Sequence, residues 1–156
     1  MKMIVAMDTN GKHLTNYHTD KDRNPLFRES INAMTSTHNG NIFAIDSFER
    51  VVVLGKTEVI NIYTGDSIDD DYDYKRFSPN SLVTTSLDNV IVGHSLYSDE
   101  FHVLNNSGIL LTTYDLSNAG IGYVATLAIT TEGQLDVLYA GCGVSPNFYK
   151  MTIAGC

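Results

Sequence analysis

The sequence predicts an all-β protein built from repeated four-stranded antiparallel units, and three observations predict it. Apolar hairpins recur at a long, nearly fixed step. Their turns carry residues that tolerate positive φ, and no stretch sustains a 3.6-residue apolar period. Composition agrees with a folded chain, because 156 residues with 43% hydrophobic and only 18% charged side chains are too apolar for a solvated, disordered segment. A chain of this length buries roughly 70% of its unfolded surface on folding.

The elements follow in order. Ile4-Val5-Ala6-Met7 and a second run closing on Tyr17 flank the turn Asn10-Gly11. The same shape returns as Val51-Val52-Val53-Leu54, the turn Lys56-Thr57 and a run closing on Tyr63. It returns again as Phe101-His102-Val103-Leu104, the turn Ser107-Gly108 and a run closing on Tyr114. Between these lie three β-branched hairpins with turns at Asn39-Gly40, Asp88-Asn89 and Glu132-Gly133. Two hairpins per roughly 45–50 residues make four strands per repeat, which is the period of propeller blades. The predicted architecture is an incomplete β-propeller occupying residues 1–156, with approximate blades at 1–17 (partial), 31–63, 80–114 and 126–155 (partial). A β-sandwich is the alternative, since it too strings short strands closely, but it does not require self-similarity at a long period. A ring of blades hides its edges only when closed, so about three blades predict either a fragment of a longer propeller or an arc that self-associates through its open edges.

Charge and targeting narrow the function classes. Ten basic against 18 acidic residues give a net charge of −8, a poor basis for holding phosphates. The imbalance is uneven: residues 1–56 hold seven basic and six acidic side chains, residues 57–156 three and twelve. No aliphatic run approaches the ~20 residues of a membrane span. Met3-Ile4-Val5-Ala6-Met7 is too short for a secretory leader and reads as the interior of a strand. Cys142 and Cys156 cannot form a disulfide framework and read as free thiols, so a cytoplasmic location is expected.

In a four-stranded meander, the turns joining strands one–two and three–four share one end. The loops joining strands two–three, and one blade to the next, share the other. Here the first set is tight, while the second (18–30, 47–50, 66–81, 94–100, 115–125 and 141–147) reads as long and irregular. Long loops on a rigid scaffold are where ligands usually bind, so this loop face is the expected functional one. Asp66, Asp69, Asp70, Asp71 and Asp73 cluster there, but their spacing lacks the Ca²⁺-loop pattern and its glycine, and a solvated acidic loop is the plainer reading. The histidines are scattered and give no metal triad. Cys142 lies in a glycine loop with no assignable His partner, and no nucleophile elbow, phosphate loop or dinucleotide fingerprint is present. No catalytic residue, metal or cofactor is expected, and a metal-dependent propeller hydrolase or lyase finds no ligand set.

Asn39-Gly40-Asn41-Ile42-Phe43-Ala44-Ile45-Asp46-Ser47, followed by Arg50-Val51-Val52-Val53, resembles the core of an NHL repeat. Val59-Ile60-Asn61-Ile62-Tyr63-Thr64-Gly65, Leu104-Asn105-Asn106-Ser107-Gly108 and the ending Tyr149-Lys150-Met151-Thr152-Ile153-Ala154-Gly155 resemble the C-terminal propeller of tripartite-motif (TRIM-NHL) proteins of the type expanded in molluscs. In the second copy Gly93-His94 stands where that family favours Ala-Asp. The resemblance implies about half of a six-bladed propeller. It also implies a non-catalytic module that recognises a protein partner or ubiquitylation substrate, any ligase activity residing in N-terminal zinc modules that two cysteines cannot build. Relatives of this propeller also bind RNA, which needs clustered Lys and Arg with stacking aromatics. The only such cluster is Lys21, Arg23 and Arg28 with Phe27, facing an acidic loop, so a protein ligand is favoured over RNA. Candidate partner contacts on the loop face are Phe48, Arg50, Tyr72, Tyr74, Lys75, His94 and Tyr97, chosen because Tyr and Arg are common hot-spot types.

Overall fold

A computed structural model describes residues 2–65, 77–94, 99–143 and 146–155. Thirteen antiparallel strands form four sheets. The first is the hairpin β1(Ile4–Met7)–β2(His13–Tyr17). The second runs β3(Ile31–Ser36), β4(Ile42–Asp46), β5(Arg50–Leu54) and β6(Val59–Tyr63) in simple order. The third repeats it as β7(Pro79–Thr84), β8(Val90–His94), β9(Glu100–Leu104) and β10(Leu110–Asp115). The fourth holds β11(Val124–Glu132), β12(Leu135–Cys142) and β13(Phe148–Ile153). The one helical piece among the described residues is a 3-10 turn, Ser117–Ala119.

Each sheet is a separate meander, and from the second onward its first strand neighbours the first strand of the next: β3 touches β7, and β7 touches β11. This is an incomplete propeller. Among the described residues the strands form successive meanders with a separate apolar cluster at each seam, rather than two sheets closing on a single interior, so the sandwich alternative falls. The decisive difference is that a propeller sheet is covered on both faces, and the burial pattern shows it. Within β4 and β5, alternation sends successive side chains to opposite sides. Phe43, Ile45, Val51 and Val53 pack toward the third sheet with Val90, Val92 and Leu104. Their neighbours Ala44, Val52 and Leu54 pack the other way, with Ile4, Tyr17, Leu26 and Phe27. A third cluster joins Ile91, Phe101 and Val103 to Leu127, Leu138 and Ala140 of the fourth sheet. Full burial of one such Val, Leu, Ile or Phe side chain contributes about 1.5–3 kcal/mol, so the three seams between sheets dominate the stability.

The tight turns also bind sheet to sheet. Asn41 Nδ2 donates to the Asn106 carbonyl at 2.7 Å, Asn61 Nδ2 to the Gly108 carbonyl at 2.8 Å, and the Ser86 N–H to Asp136 Oδ2 at 2.7 Å. At Gly108, where φ is +80°, an added Cβ would lie 2.6 Å from Val53 Cγ2, so glycine there permits both the turn and the close approach of the neighbouring sheet. Asp88 takes the left-handed position (φ 68°) in the corresponding β7–β8 turn. The His38 backbone N–H and imidazole both reach the Asp88 carboxylate, tying the second sheet to the third.

Candidate functional site

Two corners on the loop face occupy the same place in successive sheets. Ladder register defines the equivalence: Asp46 faces Ile31 across β3–β4 as His94 faces Pro79 across β7–β8. At the first corner Asp46 is fully buried, and four groups converge on it or its partner. Its Oδ1 accepts the backbone N–H of Arg28 at 2.9 Å and the Ser47 hydroxyl at 3.1 Å, and its Oδ2 accepts Arg50 Nε at 2.8 Å. Arg50 then donates from its far nitrogen to the Leu26 carbonyl at 2.9 Å. A buried charge persists only when paired and hydrogen-bonded, and this one is both. The Asp–turn–Arg pattern therefore clamps the incoming segment 26–30 onto the end of the sheet.

The same corner holds a turn of unusual conformation. The Glu49 N–H closes it onto the Asp46 carbonyl at 3.1 Å, with Ser47 (φ 57°) and Phe48 (φ 55°) both left-handed. Such conformations cost non-glycine residues on the order of 1–3 kcal/mol each and persist only where the surroundings over-determine them. They do so here: Ser47 Oγ accepts the N–H of Glu29 and of Ser30, the Ser47 N–H donates to the Ser30 carbonyl, and the Phe48 N–H donates to Asn32 Oδ1. Arg28 pairs with Glu49 across the gap. The product is a rigid platform with the Phe48 ring 47% exposed on top.

At the second corner His94 is 4% exposed, and among the described residues neither ring nitrogen has a hydrogen-bond partner. It lies among rings instead. Phe77 meets it edge-on at 4.7 Å, and the His102 ring centre lies 4.4 Å away. Tyr63, from the second sheet, places its hydroxyl 2.7 Å from His102 Nδ1 and stacks edge-on against Phe77 at 5.0 Å. The Glu100 carboxylate stands 3.8 Å from His102 Nε2, beyond hydrogen-bond length. Burial, and secondarily the neighbouring His102, pull the His94 pKa down from 6.5 to about 3, so this ring is neutral at ordinary pH.

These corners correct three expectations. His94, read as an exposed loop residue, is a core residue, because β8 runs one residue further and the Phe77 and His102 rings pack against it. Arg50 is not displayed for a partner, since its side chain is 14% exposed and committed to Asp46 and Leu26. The 47–50 connection is a tight turn rather than a long, irregular loop. The Phe48 side chain lies exposed on the surface of the loop face. Tyr72, Tyr74, Lys75, Tyr97 and the acidic 66–73 run lie outside the described residues. The thin basic cluster also changes character: Phe27 is 3% exposed and cannot stack a base, and Arg28 is paired with Glu49.

No family model and no curated protein matches the chain. Solved structures do match. One is a protein of unknown function from Bacteroides caccae, with a TM-score of 0.56 at 10% identity, covering 98% of this chain and 54% of that one. Two others are of BBS1N in complex with ARL6DN. The lead-soaked form gives a TM-score of 0.61 at 10% identity over 96% of this chain and 49% of that one; the mercury-soaked form gives 0.60 at 11% over 96% and 45%. At such identities the likeness is one of fold. The chain spans about half the length of the structures it matches.

Sequence reasoning missed the Asp46 clamp and the Tyr63–Phe77–His94–His102 cluster. A signal existed for the first, an Asp closing an apolar strand four residues before an Arg. For the second, an alternation that places His102 between Phe101 and Val103 hints only that one face of β9 is polar. Among the described residues no helix is long and apolar enough to cross a membrane, and no three His, Cys, Asp or Glu side chains converge as metal ligands.

Proposed function

We propose that the chain is the recognition part of a protein-interaction propeller, non-catalytic in itself, and that it contacts its partner through the loop face at Phe48. One observation carries this reading: a large aromatic side chain is held exposed in a left-handed turn that six neighbouring residues keep rigid. Backbone strain is costly without a use, and strained positions concentrate at binding sites. A pre-organised aromatic loses little entropy on docking and suits a hot spot. The fold likeness to BBS1N, which was solved bound to ARL6DN, supports a protein ligand. The NHL-like strings extend the proposal to kinship with tripartite-motif propellers, a ubiquitylation substrate as partner and a cytoplasmic setting.

The test is affinity capture with the wild-type chain, followed by titration of the purified partner against wild type and Phe48→Ala. A weakening of Kd on the order of tenfold or more, with a melting temperature no lower than wild type, supports the reading. Equal affinities overturn Phe48 as the contact. Tight RNA retention on a filter with a steep salt slope overturns the protein-ligand class.

A further inference from the structure

The His94 corner supports an inference that stands on its own geometry and does not depend on how the Phe48 platform is used. His94 ends β8 with both ring nitrogens buried and unpartnered among the described residues. The titratable groups that face it there are His102 and Glu100 of β9 and Tyr63 of β6. Among the described residues the other neighbours on that side bring no charge: Phe77 packs on the ring, and Pro79 of β7 is its ladder partner. β11 lies on the opposite side of the strand, where Leu127 packs against Gly93. A neutral imidazole fits this apolar box. An imidazolium does not, because among the described residues nothing accepts its two N–H groups where they stand.

We propose that this corner is an acid-operated latch: neutral His94 seals the seam between the second and third sheets, and its protonation releases the loop-face ends of β8 and β9 from β6. Geometry supplies the counter-ion for the released state. Gly93 pairs with Phe101, so the next step along the ladder brings Glu100 beside His94. That places a base and an acid where the neighbouring sheet has Asp46 and Arg50, with the signs reversed.

The direction of the pH effect follows from linkage. The folded chain holds His94 at about 3 against an ordinary value of 6.5, so within that window the unfolded chain binds a proton that the folded chain refuses. The stabilisation is complete above the ordinary imidazole value and is lost as pH falls toward 3. From this one group the unfolded-to-folded ratio rises about tenfold per pH unit, roughly thirtyfold by pH 5.

The experiment is urea denaturation of the full chain from pH 7.5 to 4.5 for wild type, His94→Phe and His94→Leu. The three proteins differ at position 94 alone, so the difference between their curves reports on His94. The expected result is a wild-type curve that falls away from both variants below pH 6.5, approaching the thirtyfold difference at pH 5. Amide exchange, corrected for intrinsic rates, is expected to accelerate at Val90 to Val92 before it does at Phe43 to Ile45. Parallel curves overturn the latch. Should neither variant fold, imidazole NMR of the wild-type chain decides: a His94 ring still neutral at pH 5 supports the proposal, and one that titrates near 6.5 with the sheets intact overturns it.

Discussion

Asp46 and His94 hold the same station in adjacent sheets and solve the same problem in opposite ways. The Asp46 corner buries a full charge and surrounds it with donors, two of them from the incoming 26–30 segment and its own turn. The His94 corner buries a group that can be charged and, among the described residues, gives it no hydrogen-bond partner, relying on rings instead. The contrast shows that a propeller repeat specifies the position of a seam residue but not its chemistry. An ion-paired corner carries its own counter-charge, whereas an orphaned imidazole makes its seam conditional.

The largest effect expected from breaking the comparison is on the acidic side. Asp46→Ala removes the carboxylate and leaves the Arg50 guanidinium buried without its counter-charge, so urea denaturation should show a loss of about 3–5 kcal/mol. Next comes transplantation. His94→Asp alone places a buried carboxylate against the Phe77 ring and destabilises. Adding Glu100→Arg rebuilds the neighbour's pair and should recover about 1–3 kcal/mol, read as the coupling energy of a double-mutant cycle. Additive effects would show that the two corners are less alike than their register implies. A smaller, opposite effect is expected for His94→Leu at pH 7.5. Replacing two unpartnered polar atoms by an apolar side chain should raise stability by about 1–2 kcal/mol. The smallest change is at the turn beside Asp46: Phe48→Gly relieves a left-handed aromatic residue and should gain about 1 kcal/mol by the same measurement, even as partner affinity falls.

Much of this architecture is legible in the sequence, and the reason is physical. Turn residues such as Asn39-Gly40 and Ser107-Gly108 report backbone conformation locally, and the runs they separate, such as Val51-Val52-Val53-Leu54, report burial. A continuous apolar strand flanked by tight turns announces a sheet covered on both faces, and its recurrence announces stacked sheets. The corners are harder to read because their character depends on what arrives from the next sheet. His94 sits beside Gly93 and Ser95 and looks like the start of a loop; the Phe77 and His102 rings, which meet it only in the fold, make it core. Arg50 reads as a surface cation until Asp46 and the Leu26 carbonyl are seen to claim it. Phe48 could be named as exposed, but its left-handed backbone leaves no trace in residue types, since Ser-Phe is not a sequence that favours positive φ.

The side-chain amides of Asn41 and Asn61, each gripping a carbonyl of the β9–β10 turn, have a mechanical consequence. They rivet the second and third sheets together at one end of the fan, with Gly108 pressed against Val53 as the bearing. Any parting of these two sheets must therefore swing about that rivet and gape at the opposite rim. Small changes in chemistry at His94 are converted by this lever into the widest displacement the pair of sheets can make.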